Sequence, residues 1–165
     1  MKNPNIKWIY LLTLSVIWGS SFILIKKSLL GLTPFQLGAL RTIFTGVILL
    51  LAGFYHLKHV PKSKWKWLLL SGLLGSFFPA FFFAIAETEI DSAVASILNS
   101  LVPLNTIILG FAVFKIVSTK RQIIGVIVGF IGTAILILKG SELNPNQNYL
   151  YAGFVIASTL MYAAN

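Results

Sequence analysis

Arg41 stands inside an otherwise apolar run, where a guanidinium costs about 2.5 to 3.5 kcal/mol at the centre of a bilayer and less near an interface. A charge held there faces a cavity or a partner, or else it snorkels outward to the headgroups. Asn99 and Pro103 lie one helical turn apart, and the proline lacks the N–H that the Asn99 carbonyl would otherwise meet. The polar atoms freed in this way need a partner, which a bound solute or a neighbouring helix can supply, and Asn105 is a weaker instance of the same kind. Trp18-Gly19-Ser20-Ser21 offers an indole that can wall off a solute and hydroxyls that can bond to it, although small residues also serve plain helix packing. Glu87 closes an apolar run beside Glu89 and Asp91, so it is either a gate or proton-coupling group or the first residue of a solvated loop.

Other chemistry is missing from the sequence. Cysteine is absent, which removes disulfides and thiolate metal sites. His56 and His59 share one basic loop with no carboxylate nearby and read as solvated residues rather than metal ligands. No apolar run holds a metal cluster, a carboxylate pair or a nucleophile beside a base. The expectation is therefore a protein that is not an enzyme, with no catalytic residue, no metal and no cofactor.

The elements that would position these residues are set by hydrophobicity. The chain is 57% hydrophobic and only 10% charged, against about 45 to 50% apolar residues in ordinary soluble domains. Lipid is its natural solvent. A hydrocarbon core about 30 Å thick needs roughly 20 helical residues, and the runs 8–25, 35–57, 67–86, 93–114 and 122–138 approach or exceed that length. A sixth begins at 149 and reaches the last residue, Asn165. The runs are continuous rather than alternating, which favours helices over a lipid-facing barrel. The expected class is all-α integral membrane. The first run is too long for the apolar part of a signal peptide and is taken as a span. Pro79, after Gly72 and Gly75, should bend the third span, and Gly125 and Gly129, with Gly132 near, give the fifth a small-residue face.

A net charge of +9 raises the question of nucleic acid, but no folded polar face is available to hold it, so no nucleic-acid partner is expected. Topology accounts for the charge. One side of the alternating spans carries Lys2, Lys7, Lys58, Lys62, Lys64, Lys66, Lys115, Lys120 and Arg121. The other carries Lys26, Lys27 and Lys139 with all the acidic residues, Glu87, Glu89, Asp91 and Glu142. By the positive-inside rule the amino terminus is cytoplasmic.

Residues 11–21 align without gaps to 155–165, placing Trp18 opposite Tyr162. Five spans is an odd number, so a second copy starting at the sixth would be inverted, as in many secondary transporters. The sequence also resembles the drug/metabolite transporter superfamily, in its ten-helix EamA-type branch of tandem five-helix repeats. The likeness rests on Val16-Ile17-Trp18-Gly19-Ser20-Ser21-Phe22, Leu40-Arg41, the stretch from Ala95 through Asn99 and Pro103 to Leu104, and Gln122-Ile123-Ile124-Gly125 with Gly132. Members of that family usually carry Gly-Glu or Lys-Glu after the fourth span; here Lys115-Ile116 stands there, which puts a cytoplasmic salt bridge in doubt.

The resemblance implies an exporter of a small organic metabolite or drug in the bacterial cytoplasmic (inner) membrane. Residues 1–140 would form the first five-helix repeat, and 141–165 a linker and the start of a sixth helix. Trp18, Ser21, Arg41, Asn99 and Pro103 are the candidate solute contacts, and Glu87 the candidate gate or coupling residue. Because the sixth run stops without a basic anchor, the chain is expected to be part of a longer one, with a complete short product as the alternative. Its expected partners are a small-molecule solute, the lipid bilayer, and a second five-helix repeat or a homodimer partner. Small four-helix exporters that act as dimers depend on a glutamate in their first helix, and none stands in this one. A membrane assembly or scaffold protein that moves nothing is the remaining alternative.

Overall fold

Continuous apolar sequence leaves each backbone N–H and C=O to be satisfied within its own segment, and the chain meets that demand with helices alone. The computed structural model describes residues 6–165, apart from the side chains of Ser141 and Leu143, and shows no strand among them. Lys2 lies outside the described residues. Five helical stretches are long and apolar enough to cross a membrane: Ile6–Ser28, Pro34–Leu57, Lys62–Glu89, Ser92–Phe114 and Lys120–Gly140. The shortest has 21 residues, about 31 Å at the helical rise. The protein is an all-α membrane protein.

The helices are α1 (Ile6–Ser28), α2 (Pro34–Leu57), α3 (Trp65–Gly72), α4 (Phe78–Glu89), α5 (Ser92–Asn99), α6 (Val102–Phe114), α7 (Lys120–Leu143) and α8 (Ala152–Ala164). Two begin with reciprocal caps that the sequence spells out as Thr-x-x-Gln. Thr33 and Gln36 cap α2, where Pro34 also needs no donor, and Thr119 and Gln122 cap α7. The third span is α3 and α4 joined by a π-helical turn over Leu73–Phe77, directly before Pro79. Pro79 cannot donate to the preceding turn and its ring crowds it, and the wider turn accommodates both effects. The fourth span breaks between α5 and α6, just ahead of Pro103, where Ser100 and Leu101 turn back on the Ile97 and Leu98 carbonyls at 3.0 Å.

The chain's buried core joins Phe22 and Ile25 of α1, Leu37 of α2, α4, α5 and the start of α8. It lies at the end where α1 and α4 finish and α2 and α5 begin, called here the acidic end for Glu87, Glu89 and Asp91. At the opposite, basic end Lys7, Lys58 and Lys66 lie over Trp8, Phe54 and Trp67 at 5.7, 5.7 and 5.2 Å, cation–π pairs suited to an interface. The burial is uneven. Residues 6–20 of α1 are all exposed, and none of the described residues of α7 is buried. α8, by contrast, packs on α4, α5 and α6 and fully buries Val155, Ser158 and Thr159.

Glycine sets the close approaches. A methyl at Gly38 would lie 2.5 Å from the Phe81 ring, and one at Gly129 would collide with Leu104, so α6 and α7 meet at that glycine; Gly125 and Gly132 face open space. α6 ends with Lys115 in the left-handed region at φ 53°, where the Lys115 N–H donates to Phe111 O and the Ile116 N–H to Gly110 O. That conformation suits a glycine, since a Cβ there crowds the backbone.

Candidate functional site

Glu87 is fully buried two residues before the end of α4, and charged groups reach it from two other helices. From α1, the Lys26 ammonium donates to the Glu87 and Ile90 carbonyls at 2.7 and 2.9 Å, covering acceptors left open where α4 ends. From the start of α5, the Ser92 hydroxyl lies 3.0 Å from Glu87 Oε2 and 3.1 Å from the Phe22 carbonyl. From α2, the Arg41 guanidinium is within electrostatic reach of both the Glu87 carboxyl and the Tyr162 hydroxyl of α8. No ion pair closes between Arg41 or Lys26 and Glu87; among the described residues the ion pair is Lys139 with Glu142, exposed near the end of α7.

Polar atoms are left over in this cluster and at the end of α5. Arg41 Nη1, Glu87 Oε1 and Asn99 Oδ1 are buried with no hydrogen-bond partner. Each such atom gives up water without compensation at about 1 to 3 kcal/mol. Chemically, Arg41 can donate to an anionic or carbonyl group, Asn99 can accept, and Glu87 can hold or release a proton within reach of a hydroxyl.

The sequence-derived candidates therefore fall into separate groups. Arg41 and Glu87 come together. Asn99 and Pro103 flank the α5–α6 break, Asn99 half-buried and Pro103 exposed. Trp18 projects from the uncovered part of α1 at 66% exposure. The Ser21 hydroxyl donates to its own helix at the Trp18 carbonyl, 2.7 Å away, and so has only acceptor capacity to offer. No hydrogen bond, ion pair or ring contact joins Trp18, Asn99 or Pro103 to the Arg41–Glu87 pair among the described residues. Asn105 packs: its amide donates to Thr159 Oγ1 at 2.9 Å, tying α6 to α8. A cavity of about 410 Å³ opens at the basic end, lined by Lys64, Trp67, Leu68, Ser71 and Asn165 among others, and includes none of the candidates. No group of three His, Asp or Glu side chains that could hold a metal occurs among the described residues.

Sequence reading missed Lys26, Ser92 and Tyr162 as members of the cluster. Lys26 entered only as a charge on one side, and Ser92 stands one residue outside the apolar run 93–114 and drew no reading. Tyr162 had a signal, since it aligns with Trp18 in the repeat comparison.

Comparison with known proteins places this geometry in context. The model of the EamA-like transporter family matches residues 5–138. A protein of Archaeoglobus fulgidus named as an uncharacterized transporter is 30% identical over 135 residues, covering 79% of this chain and 47% of its own length. Protein PecM of Dickeya dadantii is 31% identical over 133 residues, 78% of this chain and 42% of its own. The chain thus spans about half the length of these relatives. No solved structure matches it.

Proposed function

Since this chain belongs to the EamA-like transporter family, we propose that it is the part of a membrane transporter that moves a small organic metabolite or drug outward across the bacterial cytoplasmic membrane. Its amino terminus lies in the cytoplasm, as the excess of Lys and Arg at the basic end supports. It works without catalytic chemistry or a cofactor. A second five-helix unit, on the same chain or a second copy, completes the pathway, a reading supported by relatives about twice as long as this chain.

The observation that carries the proposal is the buried Glu87 with the half-buried Arg41 in electrostatic reach, held apart and each with a buried polar atom left unbonded. Intramembrane charges kept in this way mark solute and proton pathways. In this reading Arg41 and Asn99 present polar contacts to the solute and Glu87 serves as gate or coupling residue. Pro103 keeps the break open, Trp18 walls the pathway from the α1 side, and Ser21 adds an acceptor. The alignment of Trp18 with Tyr162, which is in electrostatic reach of Arg41, supports an equivalent place for Trp18 against the second unit.

A growth screen tests this. Cells expressing the full protein are grown on panels of amino acids and toxic analogues, beside cells expressing the Trp18→Ala form at equal level. Resistance to at least one compound, reduced by the substitution, is expected. Equal growth of both with empty-vector cells under every condition would rule the reading out.

A further inference from the structure

We propose that Ser92 transmits the protonation state of Glu87 to α1, so that the acidic end of the bundle is stapled when Glu87 carries a proton and loosened when it does not. This deepens the reading of Glu87 as the coupling residue and names the device through which it acts.

The argument is a count of hydrogens. The Ser92 hydroxyl has one, and two acceptors compete for it, the Phe22 carbonyl at 3.1 Å and Glu87 Oε2 at 3.0 Å. A carbonyl can only accept, and so can an ionised carboxylate. With Glu87 ionised, the hydroxyl turns to the charged and stronger acceptor, and its link to Phe22 is given up. With Glu87 neutral, the carboxyl O–H donates to Ser92 Oγ, and the serine hydrogen is free for the Phe22 carbonyl. Both contacts then exist together, as a chain from α4 through Ser92 to α1. The proton comes from water and returns to it, and no other bond is made or broken.

The other ionisable groups around Glu87 do not supply a substitute staple. Lys26 of α1 directs its ammonium to the Glu87 and Ile90 carbonyls rather than to the carboxylate. Arg41 of α2 acts at longer range, and Tyr162 of α8 is in electrostatic reach of Arg41. In the turn that packs on α4, Tyr149 lies against Gly140 and Tyr151 against Phe154. At the end of α4 itself, Asp91 is bound to Gln147, and no bond of Glu89 to Ser92 is present. The Leu73–Phe77 turn and α5 bring no ionisable side chain.

Position gives the contact its leverage. The residues of α1 that are covered all lie at 21 or beyond, whereas 6–20 are exposed throughout. A bond at Phe22 is therefore close to the pivot of the uncovered part. Because the two Lys26 bonds persist in either state, the expected change is loosening rather than separation.

The absence of native cysteine makes the test direct. Nitroxide labels are placed through Lys27→Cys and Ala93→Cys, both exposed positions, in the full protein in lipid vesicles, and their separation is measured by pulsed electron resonance in acidic and alkaline buffer. A narrow, short distribution in acid that broadens and lengthens in alkali is expected. Glu87→Gln, whose amide donates to Ser92 as the neutral carboxyl does, should give the acid distribution at both pH values. Ser92→Ala should lose the shift, and Ser92→Thr should keep it. A shift that survives Ser92→Ala, or is absent from the parent protein, overturns the proposal. If Glu87→Gln does not fold, the alanine and threonine pair at Ser92 decides alone. The measurement needs no transported solute: a shift without flux removes only the transporter reading, and flux without a shift removes only this one.

Discussion

Replacing Lys26 with methionine keeps the length and most of the packing of the side chain while removing its ammonium. Two charge-assisted bonds are lost, to the Glu87 carbonyl at 2.7 Å and the Ile90 carbonyl at 2.9 Å. Bonds to charged groups contribute about 1.5 to 3 kcal/mol each, so at the lower figure the pair is worth about 3 kcal/mol. Two effects move that number. Lys26 is only half-buried, so water can replace part of what is lost, whereas a cation at a helix C-terminus adds about 0.3 to 1 kcal/mol through the backbone dipole. The net expectation for Lys26→Met is a loss of about 2 kcal/mol, measured as a shifted midpoint when the protein is unfolded reversibly in mixed micelles. Lys26→Arg keeps donors and charge and should lose less than half as much. A Lys26→Met midpoint indistinguishable from the parent would refute the reasoning that these bonds hold α1 to α4.

Other substitutions probe separate links. Asn105→Ala and Thr159→Val, singly and together, should show a coupling of about 0.6 to 1.7 kcal/mol in a double-mutant cycle, the range for hydrogen bonds between membrane helices and the value expected for the 2.9 Å bond from α6 to α8. Lys115→Gly should stabilise the protein by about 1 kcal/mol, because the residue sits at φ 53° where a Cβ is unfavourable; destabilisation in the same unfolding assay would contradict this. Single cysteines at His59 and Asn146 should react with an impermeant thiol reagent from opposite faces, His59→Cys from the cytoplasm and Asn146→Cys from outside.

Much of the fold was legible because hydrocarbon imposes one strong rule on sequence. The expected runs at 8–25 and 35–57 became Ile6–Ser28 and Pro34–Leu57, displaced mainly where caps and turns extend a helix past its apolar part. At Pro79, where the sequence led us to expect a bend, the structure shows a π-helical turn over Leu73–Phe77, a feature the sequence did not show. The Arg41–Glu87 cluster was only half legible. A lone arginine in an apolar run announces itself, but which groups surround it depends on how five helices are rotated against one another, and periodicity in a nearly uniform apolar segment carries little record of that rotation. Ser92 and Lys26 matter through carbonyls of other helices, and a carbonyl has no letter in the sequence. Trp18 is the reverse case: its type drew notice, yet it lies on a stretch of α1 that the rest of the described chain does not cover.

The account rests on passage of a solute, and flux is the measurement that tests it most directly. The full protein is reconstituted in vesicles, and efflux of preloaded labelled amino acids, nucleobases and cationic drugs is followed one compound at a time. The account predicts that at least one leaves faster than from protein-free vesicles, and that Arg41→Gln abolishes the difference while the protein remains folded. Rates equal to those of protein-free vesicles for every compound, from protein shown to be folded and inserted, would contradict it.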